Sequence, residues 1–446
     1  MINKKILVFI LLLMPFLGIA QGMNFEHITL EEALTKAKAE NKLVFIDFYT
    51  VWCGPCKKMA RDIFPLSTVG EMYNKNFINL KLDAEKEGEA VAKQYNVTGY
   101  PTLLYLDTDG KVLLMDTAYK PEDVFLDMAE RAISSINSEY SLENLQDMFV
   151  DKQNDEQFLK MYIKKMDEFG QDISVGVDAW LKVQTEMDES SPEMLKYLLK
   201  NSRNILIGGK GEQILDENYE TFMKQASSFE AKMLPRIKTQ ILNGTFDTAV
   251  RNKDPELMKT YIEAYKSQPE DRIREDYLVE AELIYFDMLD DDASYKATAA
   301  NYINMLITKT SIEDIHQEDK KSYEMYKKAY DRDPKPERVS MLNASKEGLK
   351  ALKLLKEIDE KGKEYLKRVT SNSEYKVVKT WIKYGYELKA DNCFTDDLKA
   401  EMYYKKGKTK KAIQLKERAI KNWPTSDKKF VNKAYELEQM KKGASI

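Results

Sequence analysis

Two thiols stand three residues apart in the run Trp52-Cys53-Gly54-Pro55-Cys56-Lys57, a spacing at which a pair can trade a disulfide with another molecule. A Cys-x-x-Cys pair is also half of a zinc site. The chain, however, has only one further cysteine, Cys393, and two histidines, His27 and His316. Three cysteines in 446 residues are too few to staple a secreted scaffold, so the pair points to chemistry rather than bracing. Cys53 follows an apolar run of strand length, Lys42 to Tyr49, and opens the next helix. Unpaired backbone N–H groups and the helix dipole favour an anion there, which makes Cys53 the attacking thiolate. Cys56, one turn on, resolves the mixed disulfide. Gly54 permits a tight turn, Pro55 fixes φ where the helix begins, and Trp52 offers a flat face to a partner.

Two more features serve the same chemistry. Asp47 lies six residues before Cys53 in an otherwise apolar run. Burial raises the pKa of a carboxyl group, so Asp47 reads as the acceptor of the Cys56 proton. In Gly99-Tyr100-Pro101-Thr102, a proline just before a strand suits a cis X–Pro bond. The backbone edge exposed there, at Tyr100 and Pro101, can pair with an extended substrate segment.

The elements that must hold these residues alternate from Asn24 to about Asn137. A helix is expected over Ile28 to Glu40 with Thr29 as its cap, and another from about Lys57 to Phe64. Phe77 to Leu82 reads as a strand and Ala84 to Tyr95 as a helix. Thr102 to Asp107 and Lys111 to Met115 read as strands joined at Asp109-Gly110, and Pro121 opens a last helix to about Ser134. The pattern describes a small mixed sheet with helices on both faces.

Residues 42–115 resemble the thioredoxin superfamily. The resemblance rests on Ile46-Asp47-Phe48, Trp52-Cys53-Gly54-Pro55-Cys56-Lys57, Leu82-Asp83 and Gly99-Tyr100-Pro101-Thr102, which stand in the family's order. Arg61-Asp62-Ile63-Phe64 and Asn76-Phe77-Ile78 look closer to the secreted branch that includes the C-terminal domain of the DsbD-type membrane reductase. The family implies an α/β thioredoxin fold, attack by Cys53, resolution by Cys56, a redox disulfide between them, an acid at Asp47 and a cis-proline at Pro101. It calls for no cofactor and no metal. Three positions depart from cytosolic members. Asn79 stands where a lysine usually faces the buried acid, a loss expected to raise the Asp47 pKa. Arg61 replaces the proline that kinks the active-site helix. Tyr100 replaces a small aliphatic residue at a position that touches substrate in this family.

Lys4 and Lys5, the apolar run Ile6 to Leu17 and the small residues Gly18 and Ala20 read as a secretory leader over residues 1–20, cleaved after Ala20. The protein is then expected outside the cytoplasm, in the periplasm, with no membrane-spanning segment after cleavage. Formal charge is −5, falling to −7 once those two lysines leave, which argues against a general nucleic-acid binder.

Residues 138–446 are expected to form an all-α, helical-repeat-like domain. Ser141-Leu142-Glu143-Asn144 and Ser191-Pro192-Glu193 look like helix starts, and Phe169-Gly170 and Asn243-Gly244 like helix ends. A tetratricopeptide-like copy is placed near 396–424 through Ala400, Tyr403, Gly407, Ala412, Ala419 and Pro424, with Lys416 where an aromatic is usual. The acidic stretch Glu270 to Asp292 and the basic end Lys399 to Ile446 read as solvated helix faces, and Cys393 as a buried or quiescent thiol.

These readings converge on an exported thiol–disulfide oxidoreductase. It would reduce or exchange disulfides of exported client proteins and draw electrons from a membrane donor of the DsbD type. The alternative is a helical scaffold or chaperone with a redox-regulatory domain.

Overall fold

The computed structural model describes residues 22–136, 142–424 and 430–443. The leader expected over residues 1–20 and the domain boundary expected at Asn137 lie outside the described residues. Two compact units divide the chain, Met1–Met187 and Asp188–Ile446.

The first unit is built on a five-stranded sheet in the order β1-β3-β2-β4-β5. Its elements run β1 (Phe25–Glu26), α1 (Leu30–Glu40), β2 (Leu43–Tyr49), α2 (Gly54–Asp62), α3 (Ser67–Asn76) and β3 (Phe77–Asp83). They continue with α4 (Glu89–Gln94), β4 (Thr102–Leu106), β5 (Val112–Thr117) and α5 (Glu122–Ser134). β1 and β2 flank β3 in parallel, and β4 and β5 add on antiparallel. Thr29 caps α1 reciprocally with Glu32, as its side-chain oxygen and the Glu32 carboxylate each accept a backbone N–H of the other. The helix expected from Ala84 begins only at Glu89, because Asp83 accepts the N–H groups of Lys86 and Gly88 and holds the intervening residues in turns.

Period-two alternation along β2 decides what lies on each face of the sheet. Val44, Ile46 and Phe48 join Ala33, Ala37, Leu80 and Leu104 in an aliphatic core on one side. Phe45 points the other way, into an aromatic cluster with Tyr73, Tyr105 and Phe125. Tyr73 stacks on Phe125 at 4.4 Å, and its hydroxyl donates to the Phe125 carbonyl at 2.8 Å. Each such fully buried ring contributes roughly 1.5–3 kcal/mol. Asp47, two residues from Phe45, shares that aromatic face by the same alternation.

Three helices complete the unit: α6 (Leu142–Asp151), α7 (Glu156–Glu168) and α8 (Ser174–Val183). The end of α7 meets the sheet at β5, where the Met115 N–H donates to the Phe169 carbonyl at 3.2 Å. Gly170 follows with φ +66°, and a Cβ there would stand 1.7 Å from the Met115 carbonyl oxygen. Phe169-Gly170 is therefore both a helix end and a close backbone crossing that only glycine fits.

The second unit is made of helices. The helix Pro192–Lys200 starts as expected, with the Ser191 hydroxyl accepting the Met194 N–H at 3.1 Å. Asn243-Gly244 is not a helix end. Both lie inside the helix Ile237–Asn252, and Gly244 is needed because a Cβ would meet the Arg203 carbonyl at 2.1 Å. Cys393 is buried against Phe394, Leu388 and Trp423, and burial pushes its thiol up to about 12, an unreactive group at neutral pH.

The basic end does not form only solvated faces. Lys416 is fully buried, and Lys433 and Lys363 nearly so. All three converge on the buried Asp397: Lys433 at 3.1 Å, with Lys363 and Lys416 in direct ion pairs. Lys363 also pairs with Asp359 at 2.9 Å, while Lys433 pairs with Glu436 at 2.8 Å. The knot joins the helices Leu349–Lys367, Cys393–Lys405, Thr409–Lys421 and Phe430–Lys442. Lys416, which stands where an aromatic is usual in that repeat, is buried with two carboxylate partners, Asp397 and Glu436.

Candidate functional site

Cys53 is the N-cap of α2, and its sulfur accepts the Cys56 N–H at 3.0 Å. The two cysteines form a disulfide with Cα atoms 5.3 Å apart, and both are buried. Pro55 occupies the first turn of α2, where a missing N–H costs nothing. Gly54 does not serve a left-handed turn. Instead, apart from its chain neighbours and its own helix backbone, no described residue comes within 4 Å of where its Cβ would stand, and Gly99 is likewise open beyond its chain neighbours. The backbone is thus bare beside the disulfide and beside Tyr100.

Tyr100–Pro101 is a cis peptide bond. The Pro101 carbonyl accepts the Ala118 N–H at 2.9 Å, and the Gly99 carbonyl accepts the Thr102 hydroxyl at 2.7 Å. The Tyr100 ring meets Trp52 edge-on with centroids 5.9 Å apart, so the two form one wall next to Cys53. Trp52 is 36% exposed, and its indole N–H donates to Glu85 Oε2 at 2.9 Å. Arg61 pairs with Asp62 at the exposed end of α2, which stops there.

Asp47 is fully buried, and neither of its carboxylate oxygens has a hydrogen-bond partner among the described residues. Burial pushes its carboxyl up to about 6, although Lys81 pulls the other way. Lys81 Nζ lies 3.4 Å from Asp47 Oδ2 across the parallel register Asp47↔Lys81. The rings of Tyr49, Phe64 and Phe25 surround that ammonium at 4.9, 5.2 and 5.7 Å. The expected loss of a facing cation at Asn79 is thereby corrected. Asn79 donates to Asn24 O and Asn74 Oδ1, and the charge comes from two residues further along the same strand. Sequence reading missed Lys81 and Glu85. The alternation of β3 puts residues 79, 81 and 83 on one face, and the register of β2 and β3 shows that Lys81 is the one beside Asp47. Replacing Lys81 by Met is expected to raise the Asp47 pKa by about one unit. An infrared or NMR carboxyl titration of the reduced protein checks this, and an unchanged midpoint would show that the pair does not couple.

The thioredoxin-like domain family model matches residues 30–133. Those residues are a thioredoxin-like domain. Two curated relatives are similar to part of the chain. Protein disulfide-isomerase C17H9.14c of Schizosaccharomyces pombe is 37% identical over 82 residues, which are 18% of this chain and 22% of that protein. Thioredoxin-1 of Drosophila melanogaster is 35% identical over 68 residues, 15% of this chain and 60% of that protein. The chain thus spans from about a fifth to three fifths of these relatives' lengths. Among solved structures, a putative disulphide-isomerase from Bacteroides thetaiotaomicron is 37% identical, with a TM-score of 0.24, over 26% of this chain and 96% of that one. Beyond the thioredoxin-like domain the chain continues in helices. Among the described residues no helix is long and apolar enough to cross a membrane.

Proposed function

We propose that this chain is a thiol–disulfide oxidoreductase that works outside the cytoplasm and passes electrons to disulfides of exported client proteins. The observation that carries the reading is the Cys53–Cys56 disulfide at the head of α2, flanked by bare backbone and by the Trp52–Tyr100 wall. The likeness to thioredoxin and disulfide isomerases supports the same exchange chemistry. In the reduced protein the Cys53 thiolate attacks one sulfur of a client disulfide. A Cys53–client disulfide forms and one client thiolate leaves. Cys56 gives its proton to Asp47 and attacks the Cys53 sulfur, and the second client thiolate leaves. Two electrons have then moved to the client, and the Cys53–Cys56 disulfide is restored.

Reduction is the favoured direction because Gly54-Pro55 between the cysteines resembles the more reducing members of the family. An exported reductase needs its electrons relayed across the membrane, and a DsbD-type donor fits that need. The helical unit would hold or select clients. Cys56→Ser expressed in the native envelope tests the reading, since it leaves Cys53 able to attack but not to release. Client and donor should be recovered as mixed disulfides on Cys53. A trap that stays empty while the wild-type pair exchanges freely in vitro would sink the proposal.

A further inference from the structure

The helical unit holds a small cavity of about 230 Å³ that opens to solvent. Asp319, Lys320 and Tyr323 line it from the helix Ile312–Arg332, and Ser345 and Lys346 from the end of the helix Pro336–Lys346. Gly348 adds the turn before the helix Leu349–Lys367. Asp319 is buried, its Oδ1 accepting the Lys350 N–H at 2.7 Å and its Oδ2 the Ala351 N–H at 3.1 Å. A helix leaves such N–H groups unpaired at its start, so this carboxylate's charge rests on the positive end of Leu349–Lys367. Gly348 has φ +84°, and a Cβ there would stand 2.8 Å from Asp319 Oδ2, so glycine lets the turn close against the carboxylate. The Ser345 hydroxyl donates to the Leu342 carbonyl at 2.8 Å and adds a small neutral lining.

Two lysines are left over from this arrangement. Lys320 and Lys346 are exposed, and neither has an ion-pair partner among the described residues. Their neighbouring acids are engaged elsewhere: Glu318 pairs with Lys350, and Glu347 with Lys389 at 3.3 Å. The half-buried Tyr323 has no hydrogen-bond partner for its hydroxyl among the described residues. The cavity thus offers two ammonium groups and a phenol O–H, while the one acid that lines it is committed to backbone. Pockets that enclose a small molecule run to roughly 300–1,000 Å³. This one is smaller and open, so it fits one side chain of a larger partner. The lysine stems and the Tyr323 ring supply apolar walls along which the methylenes of such a side chain lie.

We propose that this cavity binds an acidic peptide segment, with Lys320 and Lys346 pairing to a glutamate or aspartate carboxylate and the Tyr323 hydroxyl donating to it. The site stands apart from the exchange chemistry, since neither its residues nor its test involves Cys53 or Cys56.

The test uses the full-length protein and two fluorescein-labelled decapeptides of glycine and serine. One carries three glutamates and the other three glutamines in their place. At low ionic strength the glutamate peptide should bind about tenfold more tightly by fluorescence anisotropy, and added salt should narrow the gap. Lys320→Gln with Lys346→Gln should close it. Lys327→Gln with Lys328→Gln removes the same charge from exposed positions of the first helix that do not line the cavity, and should leave the gap open. Tyr323→Phe should weaken the glutamate peptide by about threefold. Equal binding of the two peptides, or an equal loss in both double variants, overturns the site. Inorganic phosphate that binds as tightly as the glutamate peptide, read by its displacement, would mark a site for a free anion and overturn the peptide reading.

Discussion

Asp397→Asn is expected to destabilise the helical unit by about 3–5 kcal/mol, the usual cost of leaving buried charges without their partner. Three lysines meet at Asp397. Its carboxyl is held well below the ordinary range because Lys363, Lys416 and Lys433 outweigh burial, which acts the other way. Removing it leaves Lys416 with Glu436 as its ion-pair partner among the described residues, while Lys363 keeps Asp359 and a more distant Glu401. The fourth carboxylate behaves oppositely. Burial pushes Asp359 up to about 7, and its Oδ1 has no hydrogen-bond partner among the described residues. A raised acid takes stability away as pH climbs from its ordinary 3.8 through the folded value. Asp359→Asn should therefore be neutral or stabilising at pH 8, where Asp397→Asn is damaging. Urea unfolding followed by far-ultraviolet circular dichroism separates the two. Equal effects, or less than about 1 kcal/mol for Asp397→Asn, would mean that the knot is not what holds these helices.

Asp47→Ala should make the oxidised protein more resistant to unfolding as pH rises, and slow its exchange. The Asp47 carboxyl moves from an ordinary 3.8 to about 6 in the folded chain. The unfolded state therefore loses its proton first, and wild-type stability falls as pH climbs through that window. A gap of about 2.2 units corresponds to about 3 kcal/mol. The difference in unfolding free energy between Asp47→Ala and wild type should therefore grow by about 3 kcal/mol from pH 3 to pH 8, whatever constant cavity penalty alanine adds. On the activity side, release of the Cys53 mixed disulfide should slow and lose its dependence on pH near 6. A difference in stability that is flat with pH would show that Asp47 titrates normally. Unaltered release would remove it from the proton path. Under the proposed mechanism the same group weakens the fold and serves the reaction, which would account for a carboxylate kept in an aromatic interior.

How much of this was legible in the sequence depends on how far apart the partners lie along the chain. The dithiol, the cap at Cys53, the cis bond before Pro101 and the strand around Asp47 are written in runs of a few residues. α3 went unread because its sequence is largely polar and only Val69, Gly70 and Tyr73 are buried. Lys81 could not be paired with Asp47 until the register of β2 and β3 was known. The same limit hid the knot. Lys416 reads as one lysine in a basic tail until Asp397, 19 residues earlier, and Glu436, 20 residues later, are seen beside it. In sequence, a glycine such as Gly244 that admits a neighbouring carbonyl looks the same as one that ends a helix.

The crossing of Gly170 over Met115 also bears on how the molecule behaves in a crowd. β5 is the outermost strand of its side of the sheet, and an unguarded outermost strand is a template on which a second copy can lay its own. Here the Met115 N–H is already spent on Phe169, and the chain at Gly170 lies against the Met115 carbonyl. Both hydrogen-bonding groups of that residue are shielded from outside. β1, at the opposite margin, is two residues long and offers little to copy. At that residue the sheet has no free hydrogen-bonding group on which a second chain could extend it.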